Sequence, residues 1–136
     1  MSTLQIDDLA LHYETYGDGP PLLLLHGFLG SGSDWAPFVD ELARDHRLIV
    51  PDLRGHGRST NPSPHFTHRQ CAADLCALAD ALGLDRFAAI GLSAGGNTLL
   101  HLATAQPNRV TAMVLDRKST RLNSSHDELS RMPSSA

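Results

Sequence analysis

Apolar positions along the first 115 residues alternate between two spacings, and the switches mark out the elements. Leu11, Tyr13 and Thr15 alternate with His12, Glu14 and Tyr16, the period of a half-buried strand; Leu4–Ile6 and Ala10–Tyr16 read as a strand pair. Gly17-Asp18-Gly19-Pro20-Pro21 is a turn cluster. Leu22–Leu25 is an unbroken aliphatic run of strand length, the pattern of a strand buried on both faces of a parallel sheet. Trp35, Phe38, Val39 and Leu42 fall at i, i+3, i+4 and i+7 and predict a helix with one apolar face. Leu48-Ile49-Val50 is another short buried strand, stopped by Pro51. Thr67 with Gln70 three residues on predicts a capping box. The helix that follows has Cys71, Leu75, Leu78 and Leu82 on its core face and Gly83 as its C-terminal cap. Phe87–Ile90 reads as a strand, Ala94 to about Ala105 as a helix closed before Pro107, and Val110–Leu115 as a final strand. Strands alternating with helices predict βαβ units: an α/β fold with a mostly parallel sheet and helices on both faces.

The pattern stops at Leu115. Residues 1–115 hold seven Arg, six Ser and no Lys, whereas 116–136 hold the only Lys, Lys118, and another six Ser. Asp116–His126 has no apolar period of either kind. A polar C-terminus of this sort is ordinarily a disordered tail. This one also resembles a translated short-read sequencing adapter over Asp116–His126, and Ser130–Ala136 resembles that adapter's continuation. The expectation is therefore a partial domain over 1–115 and a non-native, disordered tail over 116–136.

Composition narrows the class. With 136 residues, 41% hydrophobic and 19% charged, the chain has the length of one domain and an ordinary globular make-up. The longest aliphatic run, Leu22–Leu25, is far short of the ~20 residues of a membrane-spanning helix. The first residues show no signal-peptide pattern. A net charge of −4 argues against nucleic-acid or anionic-membrane partners. Cys71 and Cys76, five apart, form neither a C-x-x-C motif nor a disulfide framework and read as reduced thiols near the core of a cytoplasmic protein.

Three motifs carry candidate chemistry. The strand Phe87–Ile90 runs into Gly91-Leu92-Ser93-Ala94-Gly95-Gly96 at the start of a helix, which is G-x-S-x-G in a strand–turn–helix setting. So sharp a reversal leaves no room for side chains at Gly91 and Gly95, and it thrusts the Ser93 hydroxyl clear of the sheet. The Ala94 N–H, at the helix N-terminus, can face a developing oxyanion. His26-Gly27-Phe28 follows the buried strand, and the Phe28 N–H is the candidate for a second oxyanion donor. His26 reads as a residue that shapes the turn rather than as a base. In Pro51-Asp52-Leu53-Arg54-Gly55-His56-Gly57-Arg58-Ser59, Asp52 and Arg54 read as loop organisers and His56 as structural.

In this order the three motifs resemble the α/β-hydrolase superfamily, in its esterase and enol-lactonase-like branch, over roughly residues 8–115. The resemblance implies an α/β-hydrolase fold truncated after the sixth strand, with the strand from Leu22 central. It implies Ser93 as nucleophile, the N–H groups of Phe28 and Ala94 as oxyanion hole, and His26, Gly27, Gly91, Gly95 and Gly96 as supporting residues. It implies no metal or organic cofactor and a small-molecule acyl substrate: a carboxylic ester, a lactone or a related compound. The elbow is similar to those of small esterases, enol-lactonases and cofactor-free haloperoxidases. An aspartate in place of Ser93 would have pointed to a dehalogenase or an epoxide hydrolase.

The family orders its triad as Ser, then acid, then His. After Ser93 only His101 and His126 follow, and His101 lies eight residues down the same helix, ~12 Å along its axis. The acids that follow, Asp116, Asp127 and Glu128, fall in the adapter-like tail. A nucleophile without base or acid implies an inactive chain cut from an active parent. Two rival classes stand beside the enzyme. A phosphate-binding loop at Gly27–Ser33 lacks the required Lys, while a hydrolase fold used only to bind a small molecule differs in how Ser93 would react with an acylating probe.

Overall fold

The structure is a computed structural model that describes residues 2–116 in full and residues 129–132 as backbone. Strands β1 (Ser2–Ile6) and β2 (Leu9–Tyr16) form the antiparallel pair the alternation predicted. Then come β3 (Pro21–Leu25), a 3₁₀ turn (Gly32–Trp35), α1 (Ala36–Leu42), β4 (Arg47–Pro51) and α2 (His68–Ala81). β5 (Phe87–Leu92), α3 (Ala94–Ala105), β6 (Val110–Asp116) and β7 (Leu129–Met132) complete the described residues. The sheet has seven strands in the order β1-β2-β4-β3-β5-β6-β7. The middle four, β4-β3-β5-β6, are parallel, with β3 between β4 and β5; the flanking strands pair antiparallel.

The aliphatic run of β3 is continuous because both of its faces are covered. Leu23 and Leu25 belong to the larger core under α2 and α3, with Ile49, Leu75, Leu78, Leu99 and Leu102. Leu22 and Leu24 belong to a smaller one with Leu48, Val50 and Trp35, over which α1 lies. The parallel order puts the loops after β3, β4 and β5 at one end of the sheet, where open parallel sheets bind ligands.

Several expectations need correction. The tail was expected to hold no structure, and β6 to end the sheet. Instead Leu129–Met132 pairs antiparallel with β6, Met113 opposite Met132 and Asp116 opposite Leu129. An unpaired apolar strand edge is a template that an extended segment within reach satisfies. The rest of the tail, 117–128 and 133–136, lies outside the described residues. Phe38 was placed on the apolar face of α1, but it is exposed, with its ring edge-on to that of Trp35, 6.0 Å between centroids. Trp35 itself is in the 3₁₀ turn, which rotates the helical stripe. The Thr67 cap forms on one side only: its hydroxyl oxygen accepts from Gln70 N (3.0 Å), while the Gln70 side chain takes the Thr67 hydroxyl proton rather than the backbone N–H. Gly83, at φ 71°, ends α2 as predicted. Among the described residues no helix is long and apolar enough to cross a membrane.

Candidate active site

The centre of the site is the junction of β5 and α3. Ser93 sits at φ 53°, ψ −112°, a left-handed conformation that costs a non-glycine residue of order 1–3 kcal/mol. Its surroundings hold it there. Its N–H donates to Asp116 O at the end of β6 (2.7 Å), and its carbonyl accepts from Asn97 N in the first turn of α3 (3.1 Å). The glycines around it are required by space. A Cβ on Gly91 would lie 2.6 Å from Gly95 O, and one on Gly95 would lie 2.5 Å from His26 O and 2.7 Å from Leu25 O. Those obstacles are backbone and cannot swing aside. Gly96 is under less pressure, its nearest obstacle being Gly91 O at 3.3 Å. The Ser93 side chain is exposed.

The loop after β3 passes directly over this elbow. A Cβ on Gly27 would stand 3.3 Å from Leu92 O and 3.4 Å from Ser93 Cβ. The Gly27 carbonyl is held twice, by His26 Nδ1–H (2.7 Å) and by Gly30 N–H (3.0 Å). In a trans peptide the C=O and the following N–H point opposite ways. Fixing the Gly27 carbonyl therefore fixes the Phe28 N–H in the reverse direction. Among the described residues neither the Phe28 nor the Ala94 N–H donates to another protein group. Ala94 also opens α3, where the helix dipole favours negative charge.

His26 is fully buried and uses both ring nitrogens: Nδ1–H donates to Gly27 O, and Nε2 accepts from Leu53 N (2.9 Å). Burial pulls its pKa down, against the opposing pull of the Gly27 carbonyl. The neutral form is thereby favoured, and its lone pair is occupied by Leu53 N–H, so the ring ties the loop after β3 to the loop after β4. The third loop is organised by a buried carboxylate. Asp52 accepts from Gly32 N (2.6 Å) and Arg58 N (3.0 Å), joining the loop after β4 to the turn after β3. Gly57, at φ 52°, is required there, since a Cβ would lie 2.4 Å from Asp52 Oδ2. His56 donates from Nδ1 to Arg54 O (3.0 Å), and its ring leans on His26, Phe28 and Phe66 at 5.1 to 5.3 Å.

Two participants escaped the sequence reading. Arg54 forks onto Asp74 of α2, Nε to Oδ2 and Nη2 to Oδ1, both 2.8 Å, and the pairing raises the Arg54 pKa. Asp74 is buried. Its signal was present: a carboxylate at i+3 from Cys71, on the face of α2 that packs on the core. Phe66, just before the helix, touches Phe28 and His56 and helps wall a pocket of about 410 Å³ with Phe28, Leu29 and Arg54. Nothing in spacing distinguished it from an ordinary loop aromatic.

No described histidine is hydrogen-bonded to the Ser93 hydroxyl. His12 pairs with Glu14, His46 with Leu42 O and His68 with Thr98 Oγ1. His101 of α3 stacks on His68 at the start of α2, 6.1 Å between ring centroids. Asp116 ends β6 beside the elbow, contributing its carbonyl to Ser93 N. His126, Asp127 and Glu128 lie outside the described residues. Among the described residues no cluster of three side chains could hold a metal ion.

A family model described as alpha/beta hydrolase fold matches residues 20–134. The soluble epoxide hydrolase of Corynebacterium sp. (strain C12) is 39% identical over 98 residues, 72% of this chain and 34% of that protein. The non-heme chloroperoxidase of Streptomyces lividans is 38% identical over 113 residues, 80% of this chain and 41% of its own length. Among solved structures, Est816, described as an N-acyl homoserine lactone degrading enzyme, superposes with a TM-score of 0.81 at 33% identity, covering 85% of this chain and 44% of that one. The chain thus spans between a third and a half of the relatives it matches, at 34%, 41% and 44%.

Proposed function

From the premise that the chain belongs to the α/β hydrolase fold family, we propose that it carries the nucleophile and oxyanion hole of a serine hydrolase acting on carboxylic esters, lactones or related acyl compounds. The observation that carries this is Ser93 at φ 53°, exposed at the head of α3 beneath a loop whose Gly27 carbonyl is held by His26 and Gly30. In this reading Ser93 Oγ attacks the acyl carbon and passes its proton to a base. The carbonyl oxygen becomes an oxyanion between the N–H groups of Phe28 and Ala94. The alcohol leaves, and water releases the acid from the acyl-enzyme. Each such donor is worth about 10²–10³ in rate. Ser93 separates this chemistry from the aspartate chemistry that an epoxide hydrolase or dehalogenase would require.

In this reading the base and its acid come from beyond the described residues, since no described histidine is hydrogen-bonded to the Ser93 hydroxyl and the buried His26 has both ring nitrogens occupied. We infer that the 136-residue chain alone is inactive, losing the base being worth about 10⁶ in kcat. p-Nitrophenyl acetate hydrolysis should then match that of Ser93→Ala. In a chain extended to the length of its relatives, a fluorophosphonate probe should label Ser93 and spare Ser93→Ala. Labelling elsewhere, or none with the fold intact, overturns the reading in favour of a binding protein. Residues 116–136 we take as non-native on their composition; an uninterrupted genomic locus encoding them would refute that.

A further inference from the structure

α2 carries a second stripe beside its core face; within it Ala72 is buried and Cys76 packs partly against the core, while Arg69, Ala73 and Asp80 are exposed. Arg69, Ala72, Ala73, Cys76, Ala77 and Asp80 fall at i, i+3, i+4, i+7, i+8 and i+11. They form one wall of an open groove of about 710 Å³ whose other wall is α3 from Leu100 onward. The four middle positions are small and uncharged. The two ends carry opposite charges, ~16 Å apart along the helix at 1.5 Å per residue. Asp80 gives one oxygen to Arg109 (2.8 Å), and its side chain remains 70% exposed. Arg69 is exposed and makes no ion pair among the described residues.

We propose that this groove is the contact surface for a second copy of the chain, packed α2 against α2, antiparallel, about a two-fold axis. The stripe is its own complement under that operation. With the axis beside the Asp74–Leu75 peptide, Arg69 faces the partner's Asp80 and Ala73 the partner's Cys76. Both ends are then matched at once, the self-complementarity an isologous interface demands. The small residues in the middle let the helix axes approach to about 8 Å, the close end of helix packing. Each α2 then seats in the groove between α2 and α3 of the other copy, giving four helices across the interface. A parallel, in-register pairing would set Arg69 against Arg69 and Asp80 against Asp80, so charge selects the antiparallel arrangement. The surface begins at Leu100, seven residues along α3 from Ser93, and does not depend on the acyl-transfer reading.

Sedimentation equilibrium of the 136-residue chain, from low micromolar to sub-millimolar concentration, is the direct test. A reversible monomer–dimer equilibrium is expected. Arg69→Asp turns two attractive contacts into two repulsive ones and should weaken association by about tenfold or more. Ala73→Arg, at an exposed position with no partner to lose, should abolish it while circular dichroism shows the helices intact. A short bis-maleimide should join the two Cys76 thiols across the axis and fail in Cys76→Ser, since Cys71 is buried. A monomer at all concentrations overturns the proposal. So does a dimer indifferent to both Arg69→Asp and Ala73→Arg, or one whose Cys76 thiols cannot be bridged.

Discussion

His26→Ala should release the loop over the elbow and remove a large part of the domain's stability. The imidazole is fully buried, and its loss acts in three ways. Leu53 N–H loses its 2.9 Å acceptor and is left buried, at about 1–3 kcal/mol. Gly27 O loses its 2.7 Å donor but keeps Gly30 N–H, so this bond is worth about 0.5–1.5 kcal/mol. The ring's contacts with His56, 5.1 Å away, leave a void that adds to both. The sum is about 2–5 kcal/mol, against about 5–15 kcal/mol for a typical domain. Urea unfolding of the two proteins measures it. The substitution also has a pH signature. Burial depresses the folded-state pKa of His26 below its ordinary 6.5, so above 6.5 neither state holds the proton. As pH falls below 6.5 the unfolded chain takes up a proton that the folded one refuses, and stability is lost. The slope is at most about 1.4 kcal/mol per pH unit. His68 is shifted in the same direction and contributes its own share. His26→Ala should therefore shallow the slope between pH 6.5 and 5 without removing it. A loss under about 0.5 kcal/mol, or a slope identical to that of the parent, would refute the assignment of both ring nitrogens.

Gly95→Ala drives a methyl to 2.5 Å from His26 O and should cost about 3 kcal/mol or more in a thermal melt; a neutral result would mean that the elbow does not pack on β3. Ser93→Gly, which relieves a positive φ, should raise the unfolding free energy by about 1 kcal/mol, and no gain would show the apex to be unstrained. Asp74→Ala strands the Arg54 guanidinium, whose side chain is 11% exposed, and should cost about 3–5 kcal/mol, with Arg54→Met in the same chain recovering part of it by chemical denaturation. Cys71, its thiol pushed up to about 11 by burial, should resist a disulfide reagent at pH 8 until the protein unfolds, while the half-buried Cys76 reacts in the folded state; one rapid phase for both would contradict the packing.

Local chemistry settled much of this protein before any contact was known. The alternation in β2, the unbroken run Leu22–Leu25 and the helical stripe of α2 fixed element types, because each period suits only one way of hiding apolar surface. Gly91 and Gly95 bracketing Ser93 marked the elbow, because only glycine lets a strand turn into a helix within one residue. Those are constraints between near neighbours, and the chain records them directly. The strand order is another matter, since it depends on pairings such as Glu14 with Val50 and Leu24 with Ile90, far apart in sequence. The Arg54–Asp74 fork, the double use of His26 and the position of Phe66 against Phe28 likewise arise where distant segments meet. The same holds for β7, since an open edge on β6 is paired by whichever extended segment the fold brings within reach. Sequence period determined what each segment became; three-dimensional packing alone decided which segments met, and so which amides around Ser93 remained without a partner.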